Sequence, residues 1–132
     1  MKTVLDVLAD LIRIPSNSAV SNRRVVEYAS VVLRAAGWSW REMPYTDPAG
    51  VEKVNLIAAP PGQNADRSDV DLVFMCHTDT VPYAADWVDA LNPILNEGHL
   101  HGCGACDVKA YLACLLAIVA ENAEKRRGMV SA

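Results

Sequence analysis

The sequence is poor in the features that mark membrane-bound and nucleic-acid-binding proteins. It has a single Phe and an aromatic fraction of only 6%, and no apolar run approaches the ~20 residues that span a bilayer. Residues 1–15 carry acidic side chains within their apolar pattern, which argues against a secretory signal peptide. No basic stripe is present, because the net charge is −4 and the one basic cluster, residues 125–127, ends a predicted helix, where cations are favourable. We therefore expect a cytoplasmic protein that binds neither membrane nor nucleic acid.

The chain does contain enough apolar material for one hydrophobic core. Its 132 residues are 52% hydrophobic and 21% charged, which is typical of one globular domain. Four cysteines are present, and we expect free thiols because disulfides are rare in a reducing cytoplasm. No internal repeat, low-complexity tract or linker divides the chain.

Hydrophobic periodicity predicts an α/β fold, with a mostly parallel or mixed sheet flanked by helices. In chain order we expect two helices, three strands, a hairpin and a long helix, at residues 3–12, 21–37, 38–43, 54–59, 70–76, 94–102 and 107–125. Thr3 and Asp6 have the spacing of a capping box, Ser21 can cap the second helix, and Gly37 can end it.

Two segments carry further expectations. The sequence VDLVFMC at residues 70–76 is almost wholly apolar, which is typical of a strand buried on both faces. After Gly128 the chain reads as the start of another strand. Residues 1–132 are therefore predicted to be the amino-terminal, incomplete portion of a larger domain.

Candidate functional side chains begin directly after the apolar segment 70–76. In open α/β sheets, ligands bind at the carboxyl ends of the strands, and His77 lies at this position. Asp79 is two residues further on, where its carboxylate can accept a hydrogen bond from the imidazole. Such a bond fixes the tautomer of His77 and leaves its other nitrogen free to bind a metal.

A second candidate, Asp107, precedes the long predicted helix. Gly102 and Gly104 allow a tight turn before it. A carboxylate has two oxygens and can bridge two cations about 3.5–4 Å apart, so His77 and Asp107 together suggest the beginning of a paired zinc site. The same stretch also contains a C-x-x-C pair, Cys103 and Cys106, and a thiol oxidoreductase would need Cys103 exposed at the helix start.

These two stretches together resemble the di-zinc amidohydrolase and peptidase family, which includes acetylornithine deacetylase and succinyl-diaminopimelate desuccinylase. The sequence HTDTVP at residues 77–82 matches the family pattern H-x-D-x-V-P. The sequence GHLHGCGACDVKA at residues 98–110 matches the following G-x-G-x-x-D-x-K segment. The chain departs from the pattern at Cys103, where many members have Arg, and at Ala110, where many have Gly. The resemblance covers the whole chain but only the first third of a full member.

The resemblance implies roles for three residues. His77 would bind one zinc, Asp107 would bridge two zinc ions, and Asp79 would act in catalysis as the carboxylate that orients His77. Cobalt could replace zinc. The family's catalytic base is the first Glu of a Glu-Glu pair, and no two glutamates are adjacent in this chain. The family's remaining ligands and its smaller dimerisation domain are also expected outside these residues.

The function implied is hydrolysis of the amide of an N-acyl amino acid. An acetylornithine deacetylase of arginine biosynthesis, a homodimer in its full-length form, is the favoured interpretation, and we expect residues 1–132 alone to be inactive. Three alternatives stay open: a desuccinylase or metallo-dipeptidase of the same family, a non-catalytic association module, and a thiol oxidoreductase.

Several residues near the motifs have two interpretations. His99 and His101 can be metal ligands or one face of a half-exposed hairpin. Lys109 can form a salt bridge near the site or be solvated. Cys106 and Cys114 are expected to pack as small residues.

Overall fold

The computed structural model describes residues 2–130. Seven elements follow one another in these residues: α1 (Val4–Ile12), α2 (Arg23–Ala35), β1 (Ser39–Thr46), β2 (Glu52–Ala59), β3 (Ile94–Asn96), β4 (His99–His101) and α3 (Lys109–Val130). The predicted α/β class is confirmed. The described strands pair antiparallel, β1 with β2 and β3 with β4, and the parallel component is one isolated bridge between Asn17 and Thr80.

Helix α1 begins with the predicted capping box. The Asp6 backbone N–H donates to Thr3 Oγ1 and the Thr3 N–H donates to the Asp6 carboxylate, so two backbone donors at the helix start are satisfied. The helix stops just before Pro15, which cannot continue it. Its inward face is fully or almost fully buried and comprises Val7, Leu8, Leu11 and Ile12.

Helix α2 begins one residue later than the predicted cap implies. Asn22 is the N-cap residue but makes no side-chain capping bond, and the predicted cap, Ser21, accepts from the Arg23 N–H at 3.3 Å. The Asn22 side chain instead donates to the Val54 carbonyl and accepts from the Val54 N–H, both at 2.8 Å. The helix ends as predicted, with Gly37 at φ +72°, a conformation that glycine adopts without a steric penalty.

The two hairpins match the predicted strand positions at 38–43, 54–59 and 94–102. Strands β1 and β2 pair from Ser39 opposite Ala59 to Thr46 opposite Glu52. The second hairpin turns at Glu97 and Gly98, whose φ angles are +48° and +80°, as a two-residue loop with both central residues left-handed requires.

Helix α3 extends further than the sequence suggested. It runs through Gly128 to Val130, so the expectation of a new strand after Gly128 is wrong as far as the described residues reach, and residues 131–132 lie outside them. A single glycine in a helix costs only about 1 kcal/mol. Asp107 precedes the first helical residue, Lys109, by two positions.

The prediction of a buried strand at residues 70–76 is wrong. These residues form no strand, and Leu72, Val73, Phe74 and Met75 are 60–82% exposed. A strand buried on both faces needs neighbours on both edges and helices over both faces. Within residues 2–130 the two hairpins pair internally and neither reaches this segment.

The core lies between the helices instead. Helices α1, α2 and α3 pack against one another, and the inner face of β2 contributes Val54, which is 1% exposed. No helix within residues 2–130 is long and apolar enough to cross a membrane.

Candidate metal centre

The structure brings the three predicted site residues together on the surface. His77 Nε2 lies 3.1 Å from Asp107 Oδ1, although the two residues are 30 positions apart in the sequence. The side chain of His77 is about half exposed and that of Asp107 is 80% exposed. Both groups are therefore accessible to an ion or a small molecule from solvent.

Asp79 orients His77 in a way that the motif did not predict. The Asp79 backbone carbonyl accepts from His77 Nδ1 at 2.9 Å, whereas the nearer carboxylate oxygen lies at 3.4 Å. The main chain therefore makes the shorter contact, and the carboxylate adds a weaker electrostatic one. Either contact assigns the Nδ1 proton and leaves the Nε2 lone pair directed at Asp107.

Oxygen acceptors face both ring nitrogens of His77. The pKa of His77 is raised, first by the hydrogen bond to the Asp79 carbonyl and then by the Asp107 carboxylate, with partial desolvation opposing them. A neutral imidazole can donate to only one of these oxygens. With a second proton on the ring, both contacts are hydrogen bonds. Without it, His77 Nε2 and Asp107 Oδ1 are two electron-pair donors that a cation between them would join.

The donor pair fits zinc. Zinc–nitrogen and zinc–oxygen bonds of about 2.0–2.2 Å at a tetrahedral angle separate two ligand atoms by roughly 3.4 Å. The 3.1 Å between His77 Nε2 and Asp107 Oδ1 is within about 0.3 Å of that spacing. Among residues 2–130, however, no group of three or more His, Cys, Asp or Glu side chains could hold a metal. A four-coordinate site would need donors beyond this pair.

The His77 loop is held by the turn after α1. Thr80 donates its N–H to the Ser16 carbonyl at 2.9 Å and accepts from the Ser18 N–H at 3.0 Å. The Asn22 side chain donates to Thr78 Oγ1 at 2.7 Å. These bonds flank Asp79 on both sides and fix the loop to the helical layer.

The Asp107 loop is held through its two glycines, as the predicted tight turn requires. A Cβ at Gly102 would lie 2.6 Å from Ile12 Cγ2, and one at Gly104 would lie 2.6 Å from Thr80 Cγ2. Both distances are shorter than any normal carbon–carbon contact. Glycine at these positions therefore lets the Asp107 loop approach α1 and the His77 loop.

The cysteines do not support thiol redox chemistry. Cys103 is 3% exposed, and its Sγ lies 3.5 Å from Thr80 Oγ1, whereas a reactive thiol must be reachable from solvent. All four cysteines are free, as predicted. The expectation that Cys106 and Cys114 pack internally is wrong, because both are exposed and Cys103 is the buried one.

The burial of Lys109 is the feature near the site that sequence reasoning missed, and neither of the two suggested environments is present. Lys109 is neither salt-bridged nor solvated, since it is 2% exposed and donates to the Ile14 carbonyl at 2.8 Å. Burial lowers the pKa of its ammonium to about 8, with an opposing contribution from Cys103. Its helical spacing was an available signal, because Lys109, Ala113 and Leu116 occupy positions i, i+4 and i+7 on one buried face.

A cleft of about 370 Å³ adjoins Asp107. Its wall includes Val81, Trp87, Leu100, His101 and Cys106. His101 thus lies on the same cleft as Asp107, whereas His99 contacts the Glu97 carbonyl at 3.1 Å. Among residues 2–130, neither histidine forms a hydrogen bond or ion pair with His77 or Asp107, and the role of His99 and His101 as ligands stays a prediction.

Comparison with known proteins bears on this site directly. Residues 73–131 match Peptidase family M20/M25/M40, and this span contains His77, Asp79 and Asp107. The predicted family resemblance is confirmed. The chain is 42% identical over 118 residues to acetylornithine deacetylase from Myxococcus xanthus, covering 89% of this chain and 30% of that protein.

Relatives with a second name also match this chain. The chain is 31% identical over 135 residues to succinyl-diaminopimelate desuccinylase from Bradyrhizobium diazoefficiens, covering 97% of this chain and 33% of that protein. It is 32% identical over 119 residues to the protein of the same name from Rhodospirillum centenum. The chain therefore spans about a third of the length of the curated relatives that it matches.

Proposed function

We propose that this chain supplies part of the active site of a zinc-dependent hydrolase that cleaves the amide of an N-acyl amino acid. The observation that carries the proposal is the 3.1 Å approach of His77 Nε2 to Asp107 Oδ1, inside the segment that matches the peptidase family. N-acetylornithine is the favoured substrate, because the relative at 42% identity is named acetylornithine deacetylase. The complete enzyme would be a cytoplasmic homodimer of arginine biosynthesis.

Each site residue has a proposed part in this reaction. His77 and Asp107 would hold the metal, with Asp107 as the bridge between two ions, and Asp79 would keep the His77 ring in place. The chemistry that zinc supplies is Lewis-acid activation of water near neutral pH. A carboxylate base must also move a proton to the leaving amine, and the glutamate pair that serves this purpose in the family is not in these 132 residues. We therefore expect no turnover by this chain alone.

Desuccinylase activity is the nearest alternative. Relatives named succinyl-diaminopimelate desuccinylase match at 31–33% identity over 88–97% of this chain. Both names describe removal of an acyl group from an amine, so the same His77, Asp79 and Asp107 would serve either substrate. The choice depends on residues that contact the acyl group and the amino-acid side chain.

Zinc content provides the first test. We expect elemental analysis of the purified chain after zinc loading to find bound metal, and the variants His77→Ala and Asp107→Ala to lose it. Asp86→Ala is the matched control for Asp107→Ala, since it removes the same side-chain type elsewhere. Equal zinc in Asp107→Ala and Asp86→Ala would contradict the assignment of Asp107.

A chimera tests the reaction itself. Residues 1–132 would replace the matching segment of the Myxococcus xanthus acetylornithine deacetylase, and release of acetate from N-acetylornithine would be measured. We expect an active chimera whose kcat/KM falls by at least about 100-fold in its Asp107→Ala form, because the metal would lose a bridging ligand. An active Asp107→Ala chimera would remove the basis of the proposal.

A non-catalytic association module is the second candidate, and the exposure of Leu72, Val73, Phe74 and Met75 favours it. Four consecutive exposed apolar residues are a typical site of contact with another polypeptide. Sedimentation over a wide concentration range would test this role, and a monomer at every concentration would count against it.

A further inference from the structure

The charged side chain of Lys109 is buried, which is unusual for a lysine. It is 2% exposed and is among the largest fully buried side chains in residues 2–130. Its Nζ donates to the Ile14 carbonyl, 95 residues away in the sequence, at 2.8 Å. Burying an amine is costly unless it satisfies a hydrogen bond, so this position calls for a specific explanation.

The aliphatic part of Lys109 lies beside Gly104, in the loop that carries Asp107. A Cβ built on Gly104 would meet Lys109 Cδ at 3.1 Å, Lys109 Cγ at 3.3 Å and Thr80 Cγ2 at 2.6 Å. The Lys109 backbone N–H also donates to the Gly104 carbonyl at 3.0 Å. Lys109 therefore packs directly against the Asp107 loop, next to Thr80 of the His77 loop.

The far end of Lys109 reaches the same turn that holds the His77 loop. Ile14 accepts from Lys109 Nζ, and Ser16, two residues later, accepts from the Thr80 N–H at 2.9 Å. One short turn, residues 14–18, thus anchors His77 through Thr80 and Asp107 through Lys109. A shift of this turn would move both loops.

We propose that Lys109 is a positioning residue that sets the separation of His77 and Asp107 by tying the Asp107 loop and the His77 loop to the turn at residues 14–18. The proposal refines the metal centre described above and rests on the proposed function for its biological meaning. Lys109 itself contacts neither His77 nor Asp107 through its side chain, and it acts through Gly104, Thr80 and Ile14.

A second buried lysine provides a matched control. Lys53, on β2, is 6% exposed and donates to the Ser18 and Val20 carbonyls. It has the same chemistry and holds the end of the same turn, but its two hydrogen bonds do not reach the Asp107 loop. Lys53→Met and Lys109→Met should both lower stability, and only Lys109→Met should disturb the metal centre.

The decisive readout is nuclear magnetic resonance of the metal-free chain. We expect a nuclear Overhauser contact between the His77 ring protons and the Asp107 β-protons in the original chain and in Lys53→Met, and its loss in Lys109→Met. Zinc affinity, measured by competition with a chromophoric chelator, should fall roughly 10–100-fold in Lys109→Met alone. Survival of the contact in Lys109→Met, or its absence from the original chain, would overturn the proposal.

A wedge variant tests the same idea without removing Lys109. Gly104→Ala places a methyl group 2.6 Å from Thr80 Cγ2 and should separate the two loops. Gly62→Ala is its control, because Gly62 has a similar φ of +85° against +75° and no atom within 4 Å of the added Cβ. Loss of the His77–Asp107 contact only in Gly104→Ala supports the proposal.

Two results would separate this proposal from the proposed function. If the original chain shows the contact but the chimera with the Myxococcus xanthus enzyme releases no acetate, the positioning role stands and the proposed function falls. If Lys109→Met and Gly104→Ala both lose the whole fold by circular dichroism, Lys109 belongs to the general core and the positioning role is wrong.

Discussion

Two regions that are both rich in apolar residues differ in burial. In the helical layer formed by α1, α2 and α3, Leu11 and Val25 are 0% exposed. In the segment 70–76, Leu72 is 72% and Val73 60% exposed. Apolar sequence is therefore insufficient for burial, which also depends on whether the described chain supplies a partner surface.

The largest expected effect comes from a pair of identical substitutions in the two regions. Leu11→Ala should lower the free energy of unfolding by about 3–4 kcal/mol, because it leaves a cavity in a packed core. Leu72→Ala should change it by less than about 0.5 kcal/mol, as exposed substitutions usually do. Urea unfolding of both variants measures the difference. Equal losses would mean that segment 70–76 is buried in solution.

Asn22 connects the core to the His77 loop that follows segment 70–76, and its removal should rank second. Its side chain bonds the Val54 N–H and carbonyl in the core and Thr78 in the His77 loop. Asn22→Ala should cost about 2–3 kcal/mol, because two buried backbone groups lose their partners. It should also speed amide hydrogen exchange at residues 77–80. Asn92→Ala, which removes an exposed amide, is the control.

The third prediction concerns the capping box at the start of α1, which lies at the edge of the helical layer. Thr3→Ala should lower the free energy of unfolding by about 1 kcal/mol through loss of the N-cap bond. Ser21→Ala should cost less, because the Ser21 contact at 3.3 Å is long. Denaturation by urea would rank the two, and a larger loss at Ser21 would show that it caps α2 after all.

The smallest expected effect comes from Asp10, whose hydrogen bond to Tyr28 links α1 to α2. Its carboxylate should make the free energy of unfolding depend on pH. Asp10 accepts from Lys2 and, at 3.0 Å, from the Tyr28 hydroxyl, and the Lys2 bond above all lowers the pKa of Asp10 from its ordinary 3.8. Stability from a lowered carboxyl pKa is present above the ordinary value and is lost as the pH falls through the lowered one. Asp10→Asn should therefore cost up to about 1 kcal/mol near neutral pH, and progressively less as the pH falls below 3.8 through the lowered pKa.

A pH series of urea unfolding checks this sign for the original chain and Asp10→Asn. Asp66→Asn is a suitable control, because its ion pair with Arg41 is exposed and lies outside the helical layer. A difference between the original chain and Asp10→Asn that grew on acidification would show that the carboxylate destabilises the fold.

Local signals explain what the sequence predicted well. The capping box, Gly37 and the Glu97–Gly98 turn depend on neighbouring residues, and all three are present in the structure. The motif spacing also led to His77 and Asp107, which the fold brings together. Their metal-binding role stays a prediction until zinc is measured.

Non-local contacts explain the failures. The burial predicted for residues 70–76 required strands that do not pair with it within residues 2–130. The burial of Lys109 was not predicted, because a lysine near a charged site is usually exposed and its acceptor, Ile14, is 95 residues away. Asp79 orients His77 mainly through its carbonyl, which side-chain identity cannot reveal.

The large sequence separation between Lys109 and Ile14 has a consequence for the synthesis of the chain. A ribosome adds about 5–20 residues per second, so the 95 residues between the two partners take roughly 5–20 s to make. Asp107 is made only at the end of this interval. By then the ribosome has already synthesised α1, the turn at residues 14–18, α2 and the β1–β2 hairpin. A metal ion that meets the nascent chain would encounter His77 first. The pair formed by His77 and Asp107 is thus complete only when the synthesis of α3 begins.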